Sequence, residues 1–176
     1  MGTFDEYEEL SPQAAALLRP GERLLAMASA TLAFGAAPQP PGPRGGALDR
    51  IEGALDMPDT WIRRLFGGRV LDAGHGTVAR AVCGLFEGYL AVSDQRLLWL
   101  RNTAGLLRAT QLGIAYEVPR EAVSSVRRKP RALIARNRIE VRFTDGSWIV
   151  LSSWPSEITS AGMRAVVRAF QDFTAR

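Results

Sequence analysis

Residues Gly88–Leu100 read GYLAVSDQRLLWL: two short apolar runs, Tyr89–Val92 and Leu97–Leu100, joined at Ser93-Asp94-Gln95. That spacing is the signature of a β-hairpin. C-terminal to it, further short runs follow at Ile114–Val118, Ala122–Arg128, Arg138–Thr144 and Trp148–Ser152. In the third of these, Ile139, Val141 and Phe143 alternate with Glu140, Arg142 and Thr144, so one face is buried and the other wet. Asp145-Gly146 separates the last two runs and favours a tight turn with positive φ. Beyond Trp154-Pro155 the period changes. Ile158, Met163, Val166, Val167, Phe170 and Phe173 form one helical stripe, with Arg164, Arg168, Gln171 and Asp172 opposite.

On the N-terminal side, residues 1–10 hold four acids and are expected to be mobile. Ser11-Pro12 supplies an N-cap and a first-turn proline for a short helix through Leu17 and Leu18, which Pro20-Gly21 stops. The run RLLAMASATLAF, Arg23–Phe34, has no breaker and suits a first strand, although its alanines leave a helix open. Gly35–Gly46 (GAAPQPPGPRGG) has the composition of a loop. Ala47–Leu55 and Pro58–Phe66 have amphipathic helical spacing, and Gly67-Gly68 ends the second. Residues 69–84 give no clear pattern. Counting from Arg23 yields seven strands followed by one terminal helix.

Composition bounds the function. At 176 residues with 47% hydrophobic content, one domain with elaborations is expected. The net charge is only +4, but almost all the positive charge is arginine, with Lys129 the single lysine. Arginine stays charged at any working pH and grips carboxylates and phosphates bidentately, so its clustering matters more than its total. A lone cysteine, Cys83, excludes an intramolecular disulfide framework. The acidic start lacks the features of a secretory signal. The charge-free run between Arg23 and Arg44 is broken by glycine and four prolines, too short in its apolar part to span a membrane. The expectation is a cytoplasmic protein, peripheral to a membrane at most.

Seven antiparallel strands and a terminal amphipathic helix resemble the bacterial pleckstrin-homology-like (PH-like, GRAM-like) domains, and four motifs carry the resemblance. Leu18-Arg19-Pro20-Gly21-Glu22 is similar to their L-x-P-G-E lead-in. Leu90–Leu98 (LAVSDQRLL) resembles their hairpin, with serine in place of the commoner threonine. Val118–Val126 (VPREAVSSV) is similar to their (I/V)-P-(L/Y)-x-x-I-x-S-V strand entry, and Phe143-Thr144-Asp145-Gly146-Ser147 matches their closing hairpin. The resemblance implies a mainly β (α+β) fold: a seven-stranded antiparallel barrel or sandwich capped by the C-terminal helix. Its core would be residues 18–34 and 88–174, with a long, partly helical insertion at 35–87. In that frame Asp94 would cap the hairpin turn and Arg96 would lie across its carbonyls.

Candidate chemistry is sparse. His75 is the only histidine and Cys83 the only thiol. A Cys–His nucleophilic pair oriented by Asp72 is weighed against Cys83 as a small buried hydrophobe, which is the expectation, and one His with one Cys is short of a zinc set. No nucleophile elbow, phosphate-binding loop or dinucleotide fingerprint occurs. The expectation is therefore a protein without catalytic activity, metal or cofactor. The marked charge feature is Arg127, Arg128, Lys129 and Arg131, followed by Arg136, Arg138 and Arg142, with Glu140 the one acid among them. Pro130 is expected to throw the first four into a loop. Such a cluster suits an anionic membrane, an acidic partner or nucleic acid, or is a solvated hairpin. Trp61, Ile62, Arg63, Arg64, Leu65 and Phe66 suit either a docking helix or one lying in a membrane interface. Trp148 and Trp154 are expected to belong to the core. The functional expectation is a binding or scaffold module for protein partners, for itself or for an anionic membrane, with nucleic acid or another polyanion as the alternative.

Overall fold

The computed structural model describes residues 6–33, 70–83, 87–104, 109–130, 137–153 and 160–174. In chain order these form α1 (Glu6–Ala16), β1 (Leu24–Leu32), β2 (Leu71–Asp72), α2 (Val78–Val82), β3 (Glu87–Ser93), β4 (Arg96–Asn102), β5 (Leu112–Pro119), a 3₁₀ turn (Arg120–Ala122), β6 (Val123–Arg128), β7 (Arg138–Phe143), β8 (Trp148–Ser152) and α3 (Ser160–Thr174). The six strand runs read from Gly88 onward are β3 to β8, within a residue or two at each end.

The strands make one antiparallel sheet in the order β5-β4-β3-β1-β8-β7-β6, with β2 paired to β8 off that path. The expected barrel is not closed. β5 and β6, although consecutive in the chain, end the path at opposite edges, and β1 reaches β8 only through Thr31↔Ser152 and Leu32↔Leu151. What lies inside the open curl is α3. Met163, Val166, Val167 and Phe170 of α3 share one core with Ala26, Ala28, Val92, Leu97, Val126, Val141 and Ile149. A helix seated there satisfies the apolar face of the sheet without a closing ladder. Arg120 ties that helix to the corner between β5 and β6: its guanidinium lies 3.1 Å from the Phe170 ring centroid and donates to the Phe170 carbonyl at 2.8 Å.

The alanines of β1 have a specific cause. A Cβ on Gly162 of α3 would fall 3.1 Å from both the Ala28 Cβ and the Met27 carbonyl oxygen, so helix and strand meet at a distance that larger side chains forbid. The sequence that left helix open as a reading of β1 is the sequence this approach requires.

Two expected boundaries are corrected. The first helix begins at Glu6, not Ser11, with Pro12 inside it. Leu10 and Ala14, one turn apart, bury against Met27, Ala91, Leu98, Leu100 and Leu112 on the second face of the sheet, and this packing outweighs the hydrogen bond that Pro12 removes. So residues 6–10 are helical instead of a loose acidic lead. The insertion is also shorter than 35–87, because Val70, Leu71, Ala79 and Val82 are buried, three of them in the main core. Asp145 of the predicted turn, where Gly146 has φ 83°, accepts the Val78 N–H at 2.8 Å and so caps α2 from 67 residues away. The expected loop at 35–46 and helices at 47–55 and 58–66 lie outside the described residues.

Where the chain leaves and rejoins the sheet is well defined. The Ala33 N–H donates to the Val150 carbonyl at 2.9 Å, while the Val70 carbonyl accepts the Val150 N–H at 2.7 Å. In an antiparallel ladder a single residue makes both bonds to its partner. Here the two halves of that exchange come from Ala33 and Val70, so residues 34–69 are inserted within one strand position. No described helix is long and apolar enough to cross a membrane.

Candidate functional site

Two charged clusters stand out, and each is built around a buried carboxylate. The first joins the lead-in to the hairpin. Ser93 Oγ accepts the N–H groups of Gln95 at 3.1 Å and Arg96 at 3.0 Å, which shapes the turn between β3 and β4. Asp94 does not cap that turn; its Oδ1 accepts the Arg23 N–H at 3.0 Å, and its own N–H donates to the Arg23 carbonyl at 3.1 Å. Nor does Arg96 lie across carbonyls. Its Nε and Nη2 grip Glu22 at 2.9 and 2.8 Å, and its Nη1 reaches Glu117. Ser93 Oγ donates to the same Glu22 carboxylate at 2.5 Å, and the Arg19 N–H donates at 2.8 Å. The Arg96 hydrogen bonds chiefly, working against burial and helped by Ser93 and Arg19, hold the Glu22 carboxyl at about 2.

The second cluster lies on the outer face of β6, β7 and β8, away from α3. Register places Arg127 of β6 opposite Glu140 of β7, which in turn faces Val150 of β8. The Glu140 side chain is 0% exposed, yet three cations converge on it. Oε1 accepts Arg127 Nε and Nη2 at 2.8 and 2.6 Å and Arg142 Nε at 2.7 Å; Lys129 Nζ donates to Oε2. Burial alone would raise this carboxyl, but the hydrogen bonds from Lys129, Arg142 and Arg127 outweigh it and bring it to about 2. The cation side chains remain 55%, 40% and 45% exposed for Arg127, Lys129 and Arg142. Lys129 Nζ also sits 4.6 Å from the Trp148 ring centroid, which braces it over the half-buried indole.

The residues expected to bind an anion therefore divide. Arg127 and Lys129 belong to this face, whereas Arg128, registered with the core residue Ile139, is exposed on the α3 side of the sheet. Arg127 and Arg128 lie on β6 itself, before Pro130, not in a loop as expected. Arg138 is 2% exposed and so is not part of the surface cluster, and its carbonyl accepts the Lys129 N–H at 2.9 Å across the ladder between β6 and β7. Arg131 and Arg136 lie outside the described residues, as do Trp61, Ile62, Arg63, Arg64, Leu65, Phe66 and Trp154. The role of Glu140 as the organising acid was open to discovery from the sequence: it is the only carboxylate in the stretch, on the polar face of an alternating strand. Its complete burial was not.

His75 is exposed in the turn Gly74–Gly76, and the thiol of Cys83, which caps the end of α2, donates to the Arg80 carbonyl at 3.2 Å. Among the described residues no three His, Cys, Asp or Glu side chains gather as a metal set would.

No family model matches the chain, and no curated protein does. Among solved structures, the chain is similar to the C-terminal domain of an unknown protein from Leishmania infantum, with 12% identity, a TM-score of 0.41 and 94% of each chain covered.

Proposed function

We propose that this chain is a non-catalytic binding module of the PH-like type, and that the outer face of β6 and β7 is its docking surface for an acidic protein partner. The PH-like reading is supported by the strand order. Two antiparallel meanders, β3-β4-β5 and β6-β7-β8, meet through β1, and a C-terminal helix fills the curl between them. The lead-in and hairpin motifs that carry the resemblance also supply Glu22, Ser93 and Arg96, which bind one another.

One observation carries the functional reading: three half-exposed cations are fixed on a single buried carboxylate. Neutralising Glu140 needs one of them, so the cluster keeps two positive charges in excess at the surface. A charge held in place costs less entropy to bind than one on a free side chain, which suits the fixed carboxylates of a folded partner. His75 and Cys83, as placed, favour a module without a nucleophile.

The test uses Arg127→Gln, which leaves Lys129 and Arg142 on Glu140. Poly-glutamate, phosphatidylserine-containing vesicles and duplex DNA serve as probes. One lost charge at roughly 1 kcal/mol should weaken poly-glutamate binding roughly fivefold, with the melting temperature nearly unchanged. Unchanged binding to poly-glutamate removes the proposal. Loss confined to DNA, with a steep salt dependence, transfers the surface to polyanion binding.

A further inference from the structure

A second concave surface lies on the other side of the molecule, where the flank of α3 passes the start of β1 and the β3–β4 turn. This groove, of about 620 Å³, includes Arg23, Leu25, Asp94, Arg164, Arg168 and Asp172 in its lining. That volume falls within the usual range for small-ligand and short-segment sites, roughly 300–1,000 Å³.

Two independent features mark it as a place to bind something. Leu25 is 40% exposed, although its neighbours Ala26, Met27 and Ala28 are buried. The cause is a bulge: the register of β1 on β3 passes from Leu24↔Ser93 directly to Ala26↔Val92, leaving Leu25 as the extra residue. Bulges re-aim a side chain, and this one puts a leucine into the groove instead of the core. The second feature is charge. Arg164 and Arg168 sit one helical turn apart, both exposed, and neither makes an ion pair among the described residues. Like charges at that spacing mildly oppose the helix, and Asp172, one turn beyond Arg168, can offset only that one of the two. Arg23 differs, because Asp94 already holds it at 3.4 Å.

We infer that the groove docks a short segment of a partner protein that presents one aliphatic side chain beside carboxylates. Leu25 and the alanines of α3 take the aliphatic group; Arg164 and Arg168 take the carboxylates. The two acids on the rim, Asp94 and Asp172, decide the class of occupant. They repel a uniformly anionic surface such as a membrane or a nucleic acid backbone, but accept peptide N–H groups. One leucine offers apolar contact for a side chain, not for an acyl chain. This inference is independent of the face formed by β6 and β7.

The experiment measures fluorescence anisotropy of the full chain with labelled pentapeptides of capped termini, holding a central leucine with one acidic residue on each side. Matched peptides replace the leucine by serine or the acids by their amides. Binding should need both features. It should fall at least tenfold in Arg164→Gln/Arg168→Gln and in Leu25→Ser, and stay unchanged in Arg127→Gln. All these changes are at exposed positions, and circular dichroism checks that the variants keep the fold. The inference is overturned if no acidic leucine peptide binds better than its matched controls, or if the helix double variant binds undiminished. It is equally overturned if Arg164 and Arg168 prove necessary only for phosphatidylserine vesicles.

Discussion

Glu22 and Glu140 are both buried carboxylates held at about 2, yet they sit in opposite kinds of cluster. Around Glu22 the guanidinium of Arg96 is as deeply placed as its partner, with side-chain exposures of 5% and 0%. The charges balance there and little of either side chain is left to solvent. Around Glu140 the acid is hidden and its three cations are half outside. A buried pair in which both members are desolvated is a latch: its charges were taken from water to fix one segment against another. A buried acid with an excess of accessible cations is a mount that holds charge in position for something else. Burial of the carboxylate alone does not tell the two apart; the exposure and number of its partners do.

The largest effect should come from breaking the latch. Arg96→Met leaves Glu22 buried without its main counter-charge and should cost about 3–5 kcal/mol in a urea titration. Adding Glu22→Leu should recover most of that loss, because a packed apolar pair replaces a buried ionic one. A cost below about 1 kcal/mol for Arg96→Met alone would remove the distinction drawn above.

Next comes acid. Each carboxyl falls from 4.5 to about 2 on folding, so each contributes stability that is complete above pH 4.5 and is lost as the pH drops towards 2. The magnitude is on the order of 3 kcal/mol per group. Glu140→Gln should therefore flatten the fall in stability between pH 4.5 and 2, and Glu22→Gln should do the same. If only one variant flattens it, the two carboxylates are not equivalent in the fold.

Smaller still is the loss of one cation from the mount. Arg127→Gln leaves Lys129 and Arg142 on Glu140 and removes a side chain that is already 55% exposed, so less than about 1 kcal/mol should be lost by thermal denaturation. The smallest effect is that of salt. Raising ionic strength should leave the Arg96–Glu22 coupling energy from a double-mutant cycle unchanged, and lower the Arg127–Glu140 coupling by a few tenths of a kcal/mol.

Local signals in the sequence reached the strands and missed what long-range packing decides. The Ser93-Asp94-Gln95 and Asp145-Gly146 turns were legible because turn chemistry is written in adjacent residues. The stripe of α3 was legible because it repeats. In contrast, β2 has two residues, too few to show a period, and α2 owes its cap to Asp145 across the sheet. The extent of α1 was hidden by Pro12, since only the burial of Leu10 and Ala14 shows why the helix continues through it. Among the candidate site residues, Arg127, Arg128 and Lys129 were legible as a charge run. The burial of Arg138 and Glu140 was not, because alternation assigns a residue to a face without saying whether that face is covered.

Val150 marks a splice junction in the sheet. Its amide and carbonyl are satisfied by two different stretches of chain, so polypeptide of other length or origin can be set between Ala33 and Val70 while the ladder keeps its bond count. Loop length enters the closure cost only logarithmically, so such exchange is cheap for the fold. It is also a natural position for new chain termini in a circular permutant. Where β1 hands over to β2, what the chain presents between Ala33 and Val70 and what holds the sheet together are thus set separately.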